Sequence, residues 1–190
     1  MSSATTLRRR RKAQRELGIG MPGDNNRILN VARLLRGKVA APVLGGIAVN
    51  LHGAQRTTVD LDLYTPDRRQ TAAELEAAGA KWDKANREHV LNGVRIHTVT
   101  PEDAGHVVES VSIIEGIRVI SLKDLISIKI ICGLNNSDRA KDIADIQELI
   151  RSVPLDKRFA GKLPTELRAP FKKLVDAVRS GEKARGDRRF

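Results

Sequence analysis

Residues 43–64, VLGGIAVNLHGAQRTTVDLDLY, bring a glycine pair and an acidic pair into one short stretch. An apolar run at 39–44 suits a buried strand, and Gly45-Gly46 turns it into a helix that continues through Ala48, Val49 and Leu51 to Gly53. Missing side chains at such a turn let an anion reach free backbone N–H groups and the positive end of the helix. The same residues also serve a tight turn that binds nothing. The spacing predicts a second strand at 59–64. There Asp60 and Asp62, as residues i and i+2, project from one face while Val59, Leu61 and Leu63 point the other way. Two carboxylates converging on one point form an incipient divalent-cation site, although they would also suit the solvent-facing side of an edge strand. Magnesium wants six oxygens, so such a site would draw on water and on the phosphates of a substrate.

Outward from this stretch, Ile28, Leu29, Val31, Ala32, Leu34 and Leu35 recur at helical spacing, and Gly37 ends the segment. A capped surface helix is expected at 67–78, between Thr65-Pro66 and Gly79. Apolar runs at 88–91 and 94–99 flank Asn92-Gly93, the dipeptide best suited to a two-residue hairpin turn. A further strand is expected at 117–120, then a helix from Ser121 to about Cys132. The next helix, 139–150, places Ile143, Ile146, Leu149 and Ile150 on one side. Pro154 is expected to close the core, with an amphipathic helix at 167–178 and a frayed end at 181–190. Residues 1–26, rich in Arg, Gly, Ser and Asn, read as a largely disordered basic arm that leaves room for a short helix near Arg9 to Leu17. The expected organisation is therefore an arm at 1–26, a domain at 27–150 and a basic helical extension at 151–190.

A chain of 190 residues, 41% hydrophobic and 30% charged, can bury one sizeable core. Cys132 is the single cysteine, which excludes an internal disulfide and a multi-cysteine zinc site. The basic N-terminal residues lack a following apolar run, and the most apolar stretch, 125–134, is short and interrupted by Lys129. A cytoplasmic location, with neither export nor membrane insertion, is the expectation. The net charge of +11 is uneven: residues 1–40 hold ten basic against two acidic side chains, 41–150 twelve against sixteen, and 151–190 twelve against five. An acidic middle between basic ends suits a metal-binding core flanked by segments that grip a polyanion, or simply solvated tails. With aromatic residues at 3%, contact with nucleic acid would be to phosphate and shape.

Gly45, Gly46, His52, Gly53, Arg56, Thr58, Asp60 and Asp62 together resemble the signature of the minimal nucleotidyltransferase superfamily related to DNA polymerase β, with the abortive-infection and toxin-antitoxin branch nearest. The resemblance extends to SLKDLISIKIICGLNNSDRAKDIADIQELI, in which Lys129, Arg139, Lys141, Asp142 and Asp145 match a helix bearing Lys, a short loop and R-x-K-D-x-x-D. It implies an α+β fold, a mixed sheet with helices packed on it. It implies Mg²⁺, or Mn²⁺, held by Asp60 and Asp62, and transfer of a nucleoside monophosphate from an NTP to an acceptor hydroxyl on RNA, tRNA above all, or on a partner protein. Gly45 and Gly46 would cradle phosphate and Lys129 would neutralise the triphosphate. A cognate toxin or antitoxin is the implied protein partner.

Lys129 invites a partner independently, because it interrupts an apolar helix where an unpaired ammonium is costly unless it snorkels. Asp142 and Asp145, i and i+3 on a helix, could orient it, bind the nucleotide base, or form an ordinary charged face. Arg56 and Thr58 could contact phosphate or merely lead into the strand. The resemblance also implies a third carboxylate on a neighbouring strand, completing the metal site and serving as base. The matching strand reads VRIHTVTP, with His97 in that place and the nearest acids, Glu102 and Asp103, beyond Pro101. A neutral imidazole could be the base, or His97 could be structural. A degenerate transferase that binds nucleic acid or a partner toxin without turnover is the alternative reading. His52 reads as structural, His89 and His106 as surface residues.

Overall fold

The computed structural model describes residues 23–135 and 140–186, so most of the expected N-terminal arm, Arg139 and the last four residues lie outside it. The elements are α1 (Gly23–Leu34), β1 (Val43–Leu44), α2 (Gly45–Leu51), β2 (Asp60–Tyr64), α3 (Arg68–Ala77), β3 (Lys81–Asp83), β4 (Glu88–Leu91) and β5 (Val94–Val99). They continue with α4 (Pro101–Ala104), β6 (Val111–Ile114), β7 (Ile117–Ile120), α5 (Leu122–Asn135), α6 (Ala140–Ser152), a 3₁₀ turn (Lys157–Lys162) and α7 (Thr165–Gly186). The seven strands form one sheet in the order β3-β4-β5-β2-β1-β7-β6. β2 runs parallel to β5, and β1 to β7; the other neighbours are antiparallel. This is the expected mixed α+β architecture.

Strand β2 sets the two faces of the sheet. Leu61 and Leu63 are buried, whereas the aspartates alternate to the other side. Val59 was expected to open this strand and point with Leu61 and Leu63, but β2 begins only at Asp60 and Val59 is 58% exposed. The strand expected at 39–44 is likewise confined to Val43 and Leu44. The β4–β5 hairpin turns at Asn92 and Gly93, both left-handed with φ of 51° and 70°, which matches the right-handed twist of its strands. Two short edge strands, β3 and β6, had no legible alternation in the sequence.

Side chains fasten the helices to this sheet. Arg27 of α1 donates to the Asn92 carbonyl at the β4–β5 turn, and Arg33 pairs with Glu115 at the β6–β7 turn. At the start of α5, Asp124 accepts from Ser121, Ser110 and the His106 ring. Burial pushes the Asp124 carboxyl up, but these hydrogen bonds outweigh it and hold the group below its ordinary value. His106 is therefore not the surface residue expected from sequence. Nor is His89, which is buried on β4 with its ring edge-on to Trp82. His52 is structural as expected, its Nε2 lying 2.8 Å from the Ile120 carbonyl oxygen.

The core does not close at Pro154. Leu163, Leu167, Phe171, Val175 and Val178 are buried with the sheet residues, so residues 155–178 build the same core. Among the described residues no helix is long and apolar enough to cross a membrane.

Candidate active site

Strand β1 runs straight into α2, and Gly45 makes the turn with φ at +68°. A Cβ there would fall 1.8 Å from Asp62 Oδ2, so the carboxylate rests in the space that glycine leaves open. Gly46 does the same for the next residue pair, since its Cβ would come within 2.8 Å of Thr58. Thr58 in turn donates its hydroxyl to Asp60 Oδ1 at 3.0 Å. The glycine pair and the acidic pair thus form one packed unit. Gly45 lines the adjoining cavity, but Gly46 is buried and is not among the lining residues, so of the two glycines expected to cradle phosphate only Gly45 borders it.

The parallel register of β2 with β5 sets His97 opposite Asp62. Its Nδ1 lies 3.7 Å from both Asp60 and Asp62, and its Nε2 lies 2.7 Å from Glu88, a buried carboxylate on β4. The imidazole therefore sits among three acidic side chains. Asp62 raises its pKa most; burial opposes this, and Glu88 with the charges of Asp62 and Asp60 brings it to about 9. Of the acids beyond Pro101, Asp103 pairs with Arg68 at the cavity rim and Glu102 is exposed. Glu88 was missed in the sequence. Its signal was the hairpin, which carries residue 88 back beside residue 97.

Asp60 and Asp62 are about one quarter exposed, at 26% and 25%, and among the described residues no Lys or Arg bridges either one. Two hard carboxylates open to solvent on one side fit Mg²⁺ or Mn²⁺. Among the described residues no group of three His, Cys, Asp or Glu side chains is arranged to hold a metal. An ion held by the pair would complete its shell with water and substrate oxygens.

Facing the acidic pair, Lys129 projects from α5 and is almost fully buried. Its Nζ donates to Asp142 Oδ1 at 2.7 Å and to Asp145 Oδ2 at 2.6 Å, and Asp145 Oδ2 also accepts from Arg56 Nη1 at 2.8 Å. Asp142 and Asp145 are buried, so they are not an ordinary charged face, and both are aimed at Lys129. Gly133 lets the two helices close on each other, since a Cβ there would meet the Ile143 side chain at 2.7 Å. A cavity of about 370 Å³ separates this wall from Asp60, Asp62 and His97. Lys129, Arg56, Arg68 and Lys141 line it, and Leu125 and Ile128 give it an apolar floor. The sequence did not single out Arg68, which reaches the cavity from the first turn of α3. Asp145, a candidate for nucleotide contact, lies behind the lining. The acidic pair thus faces a wall on which Lys129, Arg56 and Arg68 are each held by a carboxylate, across a volume ordinary for a small-molecule site.

No family model matches the chain, and no curated protein matches it in sequence. Among solved structures, a protein of H. pylori assigned as a nucleotidyltransferase is similar at a TM-score of 0.52, with 12% identity over 84% of this chain and 95% of that one. JHP933 from Helicobacter pylori aligns at 10% identity over 88% of this chain and 97% of its own, with a TM-score of 0.42 that is too low to bear on the fold. The chain has a nucleotidyltransferase-like fold.

Proposed function

We propose that the protein transfers a nucleoside monophosphate from an NTP to an acceptor hydroxyl, with Mg²⁺ or Mn²⁺ held by Asp60 and Asp62. The observation that carries this reading is the packing of Asp62 into the space beside Gly45, across one cavity from Lys129 and Arg56. A bound divalent ion would supply charge screening for the triphosphate. Lys129, fixed by two carboxylates, and Arg56, fixed by Asp145, present pre-oriented donors to phosphate oxygens and need no reorganisation as charge develops. The acceptor oxygen forms a bond to the α-phosphorus, the bond from that phosphorus to the α–β bridging oxygen breaks, pyrophosphate leaves, and the hydroxyl proton is released to water. RNA is the acceptor favoured by the charge of +11, and the paucity of aromatic residues confines its contacts to phosphate and shape. A toxin-antitoxin or phage-defence role belongs to the same proposal and rests on the sequence resemblance.

Incubation with labelled NTPs, Mg²⁺ and total RNA is expected to label an RNA, and Asp60→Ala with Asp62→Ala to abolish the label. One observation favours a second reading, a binding protein without turnover: His97 occupies the place of the third carboxylate. That reading predicts no labelling of RNA or protein, together with salt-sensitive RNA binding that survives both substitutions.

A further inference from the structure

The segment between α2 and β2 carries Arg56 and Thr58, one on the cationic wall and the other on the acidic pair, yet it has no regular secondary structure. Its backbone is held instead by two asparagine side chains. Asn50, on α2, accepts from the Arg56 amide through Oδ1 at 2.7 Å and donates from Nδ2 to the Arg56 carbonyl at 2.8 Å. Asn25, on α1, donates to that same carbonyl at 2.6 Å and accepts from the Thr58 amide at 3.0 Å. Asn25 is completely buried and Asn50 nearly so.

Both lone pairs of the Arg56 carbonyl are thus engaged, and the amides on either side of residue 57 are each tied to a different helix. A primary amide is the side chain that offers a donor and an acceptor from one planar end, as each of these contacts requires. Burial makes the bonds costly to leave unmade. The residues they hold reach the chemistry: Arg56 extends to Asp145, and Thr58 to Asp60.

We infer that Asn25 and Asn50 are positioning residues for the nucleotide site, and that α1 is thereby part of that site although none of its residues lines the cavity. Asn50 sets where Arg56 begins, Asp145 sets where it ends, and Asn25 fixes Thr58 so that its hydroxyl aims Asp60. Release of either clamp frees a phosphate donor and an aspartate orientation together. The consequence is lost affinity and lost turnover, not only lost stability, because misplacement of about 1 Å in a binding group can cost up to a hundredfold in rate.

This inference rests on the nucleotide-transfer reading. The experiment measures binding of a non-hydrolysable NTP in the presence of Mg²⁺ by calorimetry, with thermal melting and hydrogen exchange at the Thr58 amide, on the full chain. Asn25→Ala, Asn25→Asp and Val31→Ala are compared with the unaltered protein. Val31 is buried on the same helix and makes no bond to the 54–58 segment in the structure, so its truncation reports destabilisation alone. The expected result is NTP binding weakened about tenfold or more by both Asn25 variants. Thr58 exchange should be faster in Asn25→Ala, while Val31→Ala melts lower with unchanged affinity. Asn25→Asp keeps the acceptor for Thr58 but sets an oxygen against the Arg56 carbonyl, and it decides the matter if Asn25→Ala does not fold. Unchanged affinity in the folded Asn25 variants, with the unaltered protein binding, overturns the inference alone; equal weakening by Val31→Ala does so as well. Failure of the unaltered protein to bind any NTP overturns the nucleotide reading and this inference with it.

Discussion

Gly45 and Gly37 adopt nearly the same left-handed backbone, with φ of +68° and +74°, but only Gly45 has a neighbour where a side chain would stand. A substitution at Gly37 meets nothing within 4 Å, so Gly37→Ala should cost only the backbone penalty of about 1–2 kcal/mol. Gly45→Ala should cost more, because it must also push Asp62 aside, and it should abolish Mg²⁺-dependent nucleotide binding that Gly37→Ala retains. Urea unfolding and calorimetry on the two variants check this; equal stability losses with binding kept in both would contradict it. The acidic pair was legible because a strand's period of two fixes which side chains share a face. Glu88 was missed although the Asn92-Gly93 hairpin already carries it beside His97; that His97 faces the acidic pair depends on the register of β2 with β5, which no local signal gives. Asn25 and Asn50 were invisible for the same kind of reason: nothing in the local sequence says which distant backbone a buried amide will meet.

The pairing of α5 with α6 is an electrostatic joint inside an apolar contact. Lys129, Asp142 and Asp145 are all buried, and Gly133 allows the close approach that brings them together. Lys129 is the cation that Asp142 and Asp145 share, and without it Asp145 keeps its bond from Arg56, so Lys129→Met breaks a buried ion pair and should destabilise the protein by about 3–5 kcal/mol. Adding Asp142→Asn and Asp145→Asn should restore much of that loss without restoring nucleotide binding. Denaturant midpoints of the single and triple variants test this, and a triple variant no more stable than the single one would contradict it. Here the sequence was informative about existence but not about partners. A lysine in an apolar helix announces a need, and snorkelling, a triphosphate, and Asp142 or Asp145 were all open answers until the helices were seen packed. The hairpin at Asn92-Gly93 was legible because turn chemistry is local. Strands β3 and β6 were not, being short edge elements whose outward residues carry no consistent pattern.

Across the whole molecule, one continuous core joins the sheet to α7, so the expected boundary near Pro154 fails for a physical reason: a proline ends a helix without ending a domain. Leu163, Phe171 and Val175 complete the burial that the sheet and α6 leave unfinished. The fold class was readable because glycine pair, acidic strand and lysine helix occur in order along the chain. The depth of the cavity depends on how sheet and helices meet, which no single segment encodes. In the proposed reaction Asp60 and Asp62 jointly hold one divalent ion at the mouth of a nucleotide site. Titration with Mn²⁺ followed by electron paramagnetic resonance, with a non-hydrolysable NTP present, reads that directly. An NTP-dependent Mn²⁺ signal from one ion per chain is expected, and it should disappear in Asp60→Asn and Asp62→Asn. Mn²⁺ bound equally well by those variants, or not bound by the unaltered protein, would contradict it.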